Sequence, residues 1–321
     1  MRRILLYIGG LAAIFAAALC WLTYEPAMEL PEDLKKYVCI APTGHHYWDY
    51  VKQGVADADE EQGSDTKWLE YSQYDTDEHI RQLEKIQYLD CDGVITVGDP
   101  SSETWNQTIE KIMERGIPVV LVDTDVENSG RDCYIGTDNR QAGMLAAEAI
   151  GEATGGAADC LVILSNMSYA NQVDRFQGFI EGCKEYSNMQ VVSTLNAEGD
   201  KLTLQEQLQD IFTQHPSINA IFCAEGASSR RLQPILEQMQ IRELTIVGFD
   251  NTDATLEFVR AGDYIGTIVQ SVHEIGYRAV TCLNQRSFAQ GIDTIYTDAV
   301  FASAENIDEM IALESTGKGE E

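Results

Sequence analysis

The strongest constraint on this chain is a strand–helix alternation repeated about ten times. Short, apolar, β-rich runs occur at Tyr37–Ala41, Lys67–Tyr71, Gly93–Val97, Pro118–Val122, Cys133–Gly136, Cys160–Leu164, Val191–Leu195, Ala220–Cys223, Leu244–Phe249 and Ile265–Val269. Between them lie amphipathic segments such as Asp49–Gln62, Glu78–Leu89, Glu103–Arg115, Arg140–Ala153, Gln172–Tyr186 and Leu204–Thr213. Runs that are apolar throughout belong to strands covered on both faces, and the intervening helices supply the covers. The reading is α/β with parallel sheets. About ten such units are too many for one compact sheet, and 321 residues suffice for about two domains. Two doubly wound lobes are expected.

Turn-forming residues follow the strands at Pro42-Thr43-Gly44, Gly98-Asp99-Pro100, Asp123-Thr124-Asp125 and Asp250-Asn251-Thr252. Ligands of open α/β sheets bind outside those strand ends, where helix N-termini add N–H donors. Polar residues are therefore concentrated where a ligand would sit. The formal charge of −30 repels phosphate backbones and anionic lipid, so no nucleic acid is expected as a partner.

The extreme N-terminus reads separately. Residues 4–22 carry no charge, and as a helix they would span about 28 Å, close to a bilayer core of about 30 Å. Arg2 and Arg3 precede this run and Glu25, Glu29, Glu32 and Asp33 follow it, which keeps the basic end in the cytoplasm and exports the body. A signal anchor over residues 1–22 is the leading reading. A cleaved signal peptide and lipidation at Cys20 compete with it, but the run is long for the first and Leu19 is large for the second. Residues 23–35, with Pro26 and Pro31, read as a tether. The eight cysteines form no C-x-x-C and no Cys/His cluster, so Cys39, Cys160 and Cys223 read as small buried hydrophobes.

Signatures of chemistry are missing. There is no G-x-x-x-x-G-K-[ST], no G-x-G-x-x-G after a strand, no G-x-S-x-G and no H-E-x-x-H. No catalytic residue, metal site or cofactor is expected, and the chain reads as a binder rather than an enzyme.

Five segments then carry a family resemblance. They are Ala41-Pro42-Thr43-Gly44-His45-His46-Tyr47-Trp48 with Lys52-Gln53-Gly54, Gly116–Asp123, Tyr134–Asn139 with Ala142-Gly143, Arg175-Phe176-Gln177-Gly178-Phe179, and Val247-Gly248-Phe249-Asp250 with Gln270. In order and spacing, residues 36–311 resemble the type I periplasmic sugar-binding proteins, relatives of the ligand domain of the lactose-repressor family. The resemblance implies two lobes joined by a three-segment hinge with the ligand in the cleft. Lobe one would be 36–137 plus 271–299, lobe two 138–270 plus 300–315, and 316–321 a polar tail. It also implies roles: Tyr47 and Trp48 stack on a sugar, Asp123 and Asp250 accept its hydroxyls, Arg175 donates, Gln270 is a bidentate amide near the hinge, and Thr137 fills a small hydroxyl position. Carboxylates, a guanidinium fork and aromatic faces are the groups that hydroxyls and C–H faces of a sugar need. Plainer roles compete at each position. Trp48 could be core, Asp250 a helix cap, Arg175 a surface charge and Gln270 a satisfied edge group.

The implied function is an extracytoplasmic carbohydrate-binding protein at the cell membrane that closes on a small neutral sugar. It would present the sugar to an ABC transporter permease or a sensor histidine kinase, the anchor favouring sensing. A transcription regulator is excluded, because no helix-turn-helix precedes Tyr37. A receptor for a quorum signal or another small molecule on the same scaffold stays open. The chain departs from the family at His45, at Thr124 where the ribose group has an arginine, and at Asp125 and Glu225. If Asp123, Asp125, Glu225 and Asp250 all line the cleft, four carboxylates face one principal arginine, an arrangement that repels anions. Phosphorylated or carboxylated sugars are therefore expected to bind poorly; tight binding of a sugar acid in a calorimetric titration would contradict this.

Overall fold

Burial on both faces turns the apolar runs into sheet interiors. The computed structural model describes residues 34–44, 46–72, 75–197 and 201–316. The body begins β1 (Lys35–Thr43), α1 (His46–Gln62), β2 (Ser64–Ser72), α2 (Thr76–Glu84), β3 (Gly93–Val97), α3 (Glu103–Glu114), β4 (Val119–Val122) and β5 (Cys133–Thr137). It crosses into α4 (Asn139–Ala153), β6 (Ala157–Leu164), α5 (Ala170–Cys183), β7 (Asn188–Asn196), α6 (Lys201–Gln214) and β8 (Ala220–Cys223). There it continues through α7 (Gly226–Met239), β9 (Thr245–Phe249), α8 (Asp253–Ala261) and β10 (Gly266–Gln270). It returns for α9 (Val272–Gln285) and β11 (Thr294–Thr297), then crosses again into β12 (Ala299–Ala302) and α10 (Ile307–Thr316).

The strands form two six-stranded sheets, ordered β11-β5-β4-β3-β1-β2 and β12-β10-β9-β8-β6-β7. The first is parallel throughout. The second departs from the expected parallel sheet at one edge, where β12 runs antiparallel to β10. β11 and β12 are four-residue edge strands of mixed burial, so neither makes an apolar run that reads as a strand. The expected boundary after residue 299 is displaced, because Ala299 already pairs with Gln270 in the second sheet. Lys35, expected in the tether, opens β1.

Each sheet is covered on both sides. The first has Val51 and Val55 of α1 with Ile275 and Ala279 of α9 on one face, and Leu83 of α2 with Trp105 and Ile109 of α3 on the other. The second has Ala146 and Ile150 of α4 with Phe179 of α5 on one face, and Leu208 of α6 with Leu232 and Ile235 of α7 on the other. Cys39, Cys160 and Cys223 are fully buried thiols. The expected anchor at 1–22, Cys20, the tether up to residue 33, and residues 317–321 of the tail lie outside the described residues. Among the described residues no helix is long and apolar enough to cross a membrane.

Hydrogen bonds join the three crossings to one another. The Asp138 N–H donates to the Thr297 carbonyl at 3.0 Å and the Ser271 N–H to that of Asp298 at 3.1 Å. The Thr137 hydroxyl donates to Gln270 Oε1 at 2.7 Å.

In each lobe one helix pair packs backbone to backbone through glycines. A Cβ on Gly54 of α1 would lie 1.9 Å from the His273 carbonyl oxygen of α9, and one on Gly276 would lie 2.1 Å from that of Val51. The same reciprocity holds for α4 and α5, where Gly143 faces the Arg175 carbonyl and Gly178 that of Arg140. Backbone atoms cannot yield as a flexible side chain can, so a methyl here separates the helices. Gly276→Ala is expected to lower stability by about 1–3 kcal/mol in urea unfolding; an unchanged midpoint would contradict this packing.

Candidate functional site

A cavity of about 300 Å³ lies between the lobes, at the lower end of the usual range for small-ligand sites. Its walls include Tyr47, Trp48, Asp123 and Thr124 from the first lobe and Arg175, Glu225, Asp250 and Gln270 from the second. Asn171 Nδ2 reaches across from α5 to Thr124 Oγ1 at 3.4 Å, so the lobes meet at the cleft.

Asp123 directly follows β4 and Asp250 directly follows β9, and both take the left-handed conformation, with φ of 66° and 64°. Non-glycine residues seldom adopt it, although aspartate tolerates it better than most. Matching turns thus bring one carboxylate from each lobe to the cleft wall. Asp250 is not the cap of the following helix; Thr252 caps α8 by accepting the Thr255 N–H. Gly226 leaves room for Asp250, since a Cβ there would approach its Oδ2 to 2.6 Å.

Arg175 is 4 % exposed and is no surface charge. Its guanidinium stacks 3.5 Å over the Phe249 ring. Nε and Nη2 donate to Asn139 Oδ1 at 3.1 and 2.6 Å, and Nη1 donates to the Ala224 carbonyl. Among the described residues, three of the five N–H bonds of the guanidinium are engaged, leaving two for a guest. Burial lowers its pKa, opposed by the carboxylates of Asp250 and Asp123; an arginine stays charged regardless. Tyr47 bonds the Asp123 carboxylate, and burial followed by that carboxylate pushes its pKa up. Trp48 is both core and wall: it belongs to the core of the first lobe, meets the Tyr47 ring edge-on at 5.0 Å, and lines the cavity.

Other expected site residues have different work. Asp125 does not line the cavity; it pairs with Arg131 through both oxygens, fixing the loop behind Asp123. Thr137 is 2 % exposed and lies behind Gln270 rather than on the wall. The Gln270 amide is engaged on both sides, accepting from Thr137 and donating from Nε2 to Asp250 Oδ1 at 2.7 Å. It therefore orients a cleft carboxylate. Glu225 lines the cleft, but its carboxylate caps α7 by accepting the N–H groups of Ala227 and Ser228, each at 2.6 Å. Of the four carboxylates expected at the cleft, Asp123, Glu225 and Asp250 line it, Glu225 with both oxygens engaged by its own helix, and Asp125 does not. Thr124 donates to Asp123 Oδ2 at 2.8 Å. His45 and the side chain of His46 lie outside what is described.

Sequence reasoning missed several wall residues. Asn171, Gln172 and exposed Arg230 come from the second lobe; Tyr71, Thr76, His79 and Asp99 come from the first. Asp99 lay in a turn already singled out, and Asn139 closes a motif quoted above. His79 stacks on Tyr71 at 4.2 Å and bonds Thr96 Oγ1 at 2.9 Å through Nε2.

Two relatively open sheets, a three-strand crossover and a polar cleft at their strand ends define a two-lobed binding protein. A family model for the periplasmic binding protein domain matches residues 37–288, and the chain belongs to that family. Among curated proteins, the D-apiose import binding protein of Actinobacillus succinogenes is 24 % identical over 188 residues, 58 % of this chain and 61 % of that one. The chain thus spans somewhat under two thirds of that relative. Among solved structures, GanP, a glucose-galactose binding protein from Geobacillus stearothermophilus, aligns with a TM-score of 0.77 and 28 % identity, covering 86 % of this chain and 99 % of GanP. A XylFII–LytSN complex aligns at 0.72 and 27 % identity, covering 85 % of this chain and 98 % of the matched one.

His79 gives a pH test. Burial lowers its pKa from 6.5 to about 4, so the unfolded chain binds a proton that the folded chain does not. The stabilisation is fully present above pH 6.5 and is lost as pH falls toward 4, up to about 3 kcal/mol. Urea midpoints measured from pH 7 to pH 4 are expected to fall more steeply for the wild type than for His79→Gln; equal slopes would contradict the assignment.

Proposed function

We propose that this protein binds a small neutral carbohydrate in the interlobe cleft. The observation that carries the reading is the buried Arg175, held by Asn139 and Ala224 with two N–H bonds to spare, beside the carboxylates of Asp123 and Asp250. Such a set can donate to ring and hydroxyl oxygens and accept hydroxyl protons in charge-assisted bonds. Tyr47 and Trp48 provide apolar faces at the same cavity. The sugars named for the apiose and glucose-galactose relatives support the ligand class.

In this reading the body is extracytoplasmic, tethered through residues 4–22, and closure on the sugar is what a membrane partner detects. That partner is an ABC transporter permease or a sensor histidine kinase. The solved relative in complex with LytSN favours a protein partner other than a permease. No catalysis is assigned to Asp123 or Asp250.

A thermal-shift screen over neutral pentoses, hexoses and polyols tests the ligand class, because a guest at 100 times its Kd adds about 2.7 kcal/mol of stability. At least one neutral sugar is expected to raise Tm, while glucuronic acid does not. Asp123→Asn and Asp250→Asn each replace a charge-assisted acceptor by a neutral one and are expected to weaken the hit by tenfold or more in calorimetry, about 1.5–3 kcal/mol. Full affinity in both variants would overturn the assignment.

A further inference from the structure

The first lobe presents two sides to the cleft. Trp48 belongs to the core beneath α1 and α9, whereas Tyr71, the penultimate residue of β2, belongs to the core beneath α2 and α3. On that second side Tyr71, Thr76, His79 and Asp99 line the cavity, and they hold one another in place. The Tyr71 and His79 rings stack with 5° between their planes. The Thr96 hydroxyl gives its one hydrogen to the Ile40 carbonyl at 3.1 Å, so it accepts from His79 Nε2, which fixes that ring. Asp99 accepts from the Thr76 hydroxyl at 2.8 Å and from the N–H and hydroxyl of Ser101 at 3.0 and 2.6 Å.

The Tyr71 hydroxyl stands apart from this network. The residue is only 7 % exposed, yet no described residue hydrogen-bonds its hydroxyl, and that oxygen is not sealed from solvent. Its access is through the cavity it lines. Burial, followed by the carboxylates of Asp123 and Asp99, pushes its pKa up, so it is a neutral phenol with one hydrogen to give. The facing lobe supplies the complement. Thr124 gives its hydrogen to Asp123 and so accepts from Asn171 Nδ2. Oδ1 of the same amide is buried without a partner among the described residues. A donor on one lobe and an acceptor on the other thus stand unmet on one cavity, and a hydroxyl both gives and takes.

We infer that the cleft has a second subsite on its α2–α3 side, where the Tyr71 hydroxyl contacts the guest and favours a hexopyranose over the pentopyranose that lacks its hydroxymethyl group. This rests on the carbohydrate reading of the cleft. Arg175, Asp123 and Asp250 engage the oxygens carried on the ring, and the hydroxyl on the carbon outside the ring reaches the tyrosine. His79 holds the phenol in position by stacking and does not itself touch the guest. Asp99 makes a carboxylate on that carbon unfavourable, so the subsite selects the alcohol over the acid.

The test is calorimetry on the wild type and Tyr71→Phe with matched sugars. D-glucose, D-galactose, D-mannose and D-allose are each compared with the pentose of the same configuration (D-xylose, L-arabinose, D-lyxose and D-ribose). Each is also compared with the terminal deoxy sugar that keeps the carbon and lacks its hydroxyl. Because the Tyr71 hydroxyl bonds no described residue, Tyr71→Phe is expected to unfold at the wild-type midpoint. In the series that binds, the hexose is expected to bind the wild type more tightly than both counterparts. Tyr71→Phe is expected to cut the hexose-to-deoxy preference by about threefold to tenfold, the worth of one neutral hydrogen bond. A pentose or deoxy sugar that binds the wild type as tightly as its hexose overturns the inference, as does a preference that Tyr71→Phe leaves unchanged. If none of these sugars binds while another neutral sugar does, this inference alone falls; if no neutral sugar binds, the carbohydrate reading falls with it.

Discussion

The cleft depends on how a buried guanidinium is held. A charge taken out of water is costly unless its donors are satisfied and opposite charge is near. Arg175 meets both conditions through residues remote in sequence: Asn139 at the first crossing, the Ala224 carbonyl after β8, the Phe249 face, and the carboxylates of Asp250 and Asp123. The backbone beneath it is set by Gly143, whose missing side chain lets α4 approach the Arg175 carbonyl. Helix packing, hinge and site are thus one arrangement: moving α5 away from α4 withdraws the arginine from the cleft.

The hinge joins the same network. Gln270 ends β10, accepts from Thr137 at the end of β5, and holds Asp250 at the end of β9. One amide therefore connects two of the crossings to a cleft carboxylate. A hinge motion that changes the separation of Thr137 and Gln270 also reorients Asp250, a physical route by which occupancy and lobe angle are coupled.

Much of the fold was legible because buried parallel strands are apolar along their whole length, as in Val119–Val122 and Ala220–Cys223. β11 and β12 were not, because short edge strands of mixed burial lack that signature. Asp123 and Asp250 could be singled out from their places at strand ends, and Arg175 from the family resemblance of its segment. The work of Asp125 depends on Arg131, that of Glu225 on two backbone N–H groups of its own helix, and that of Thr137 on Gln270, 133 positions away. Side-chain type alone does not distinguish a ligand acceptor from a cap or an ion-pair partner. The role of Asn139 was hidden for the same reason: a neutral amide gains it only once Arg175 is folded over it.

The most direct test of this account is a crystal structure of the chain with a bound neutral sugar. The account predicts one ring in the cleft, its oxygens accepting from the free N–H bonds of Arg175, its hydroxyls donating to Asp123 and Asp250, and the Thr137–Gln270–Asp250 chain intact. A sugar bound elsewhere on the body, or in the cleft without contact to Arg175 and either aspartate, would contradict it.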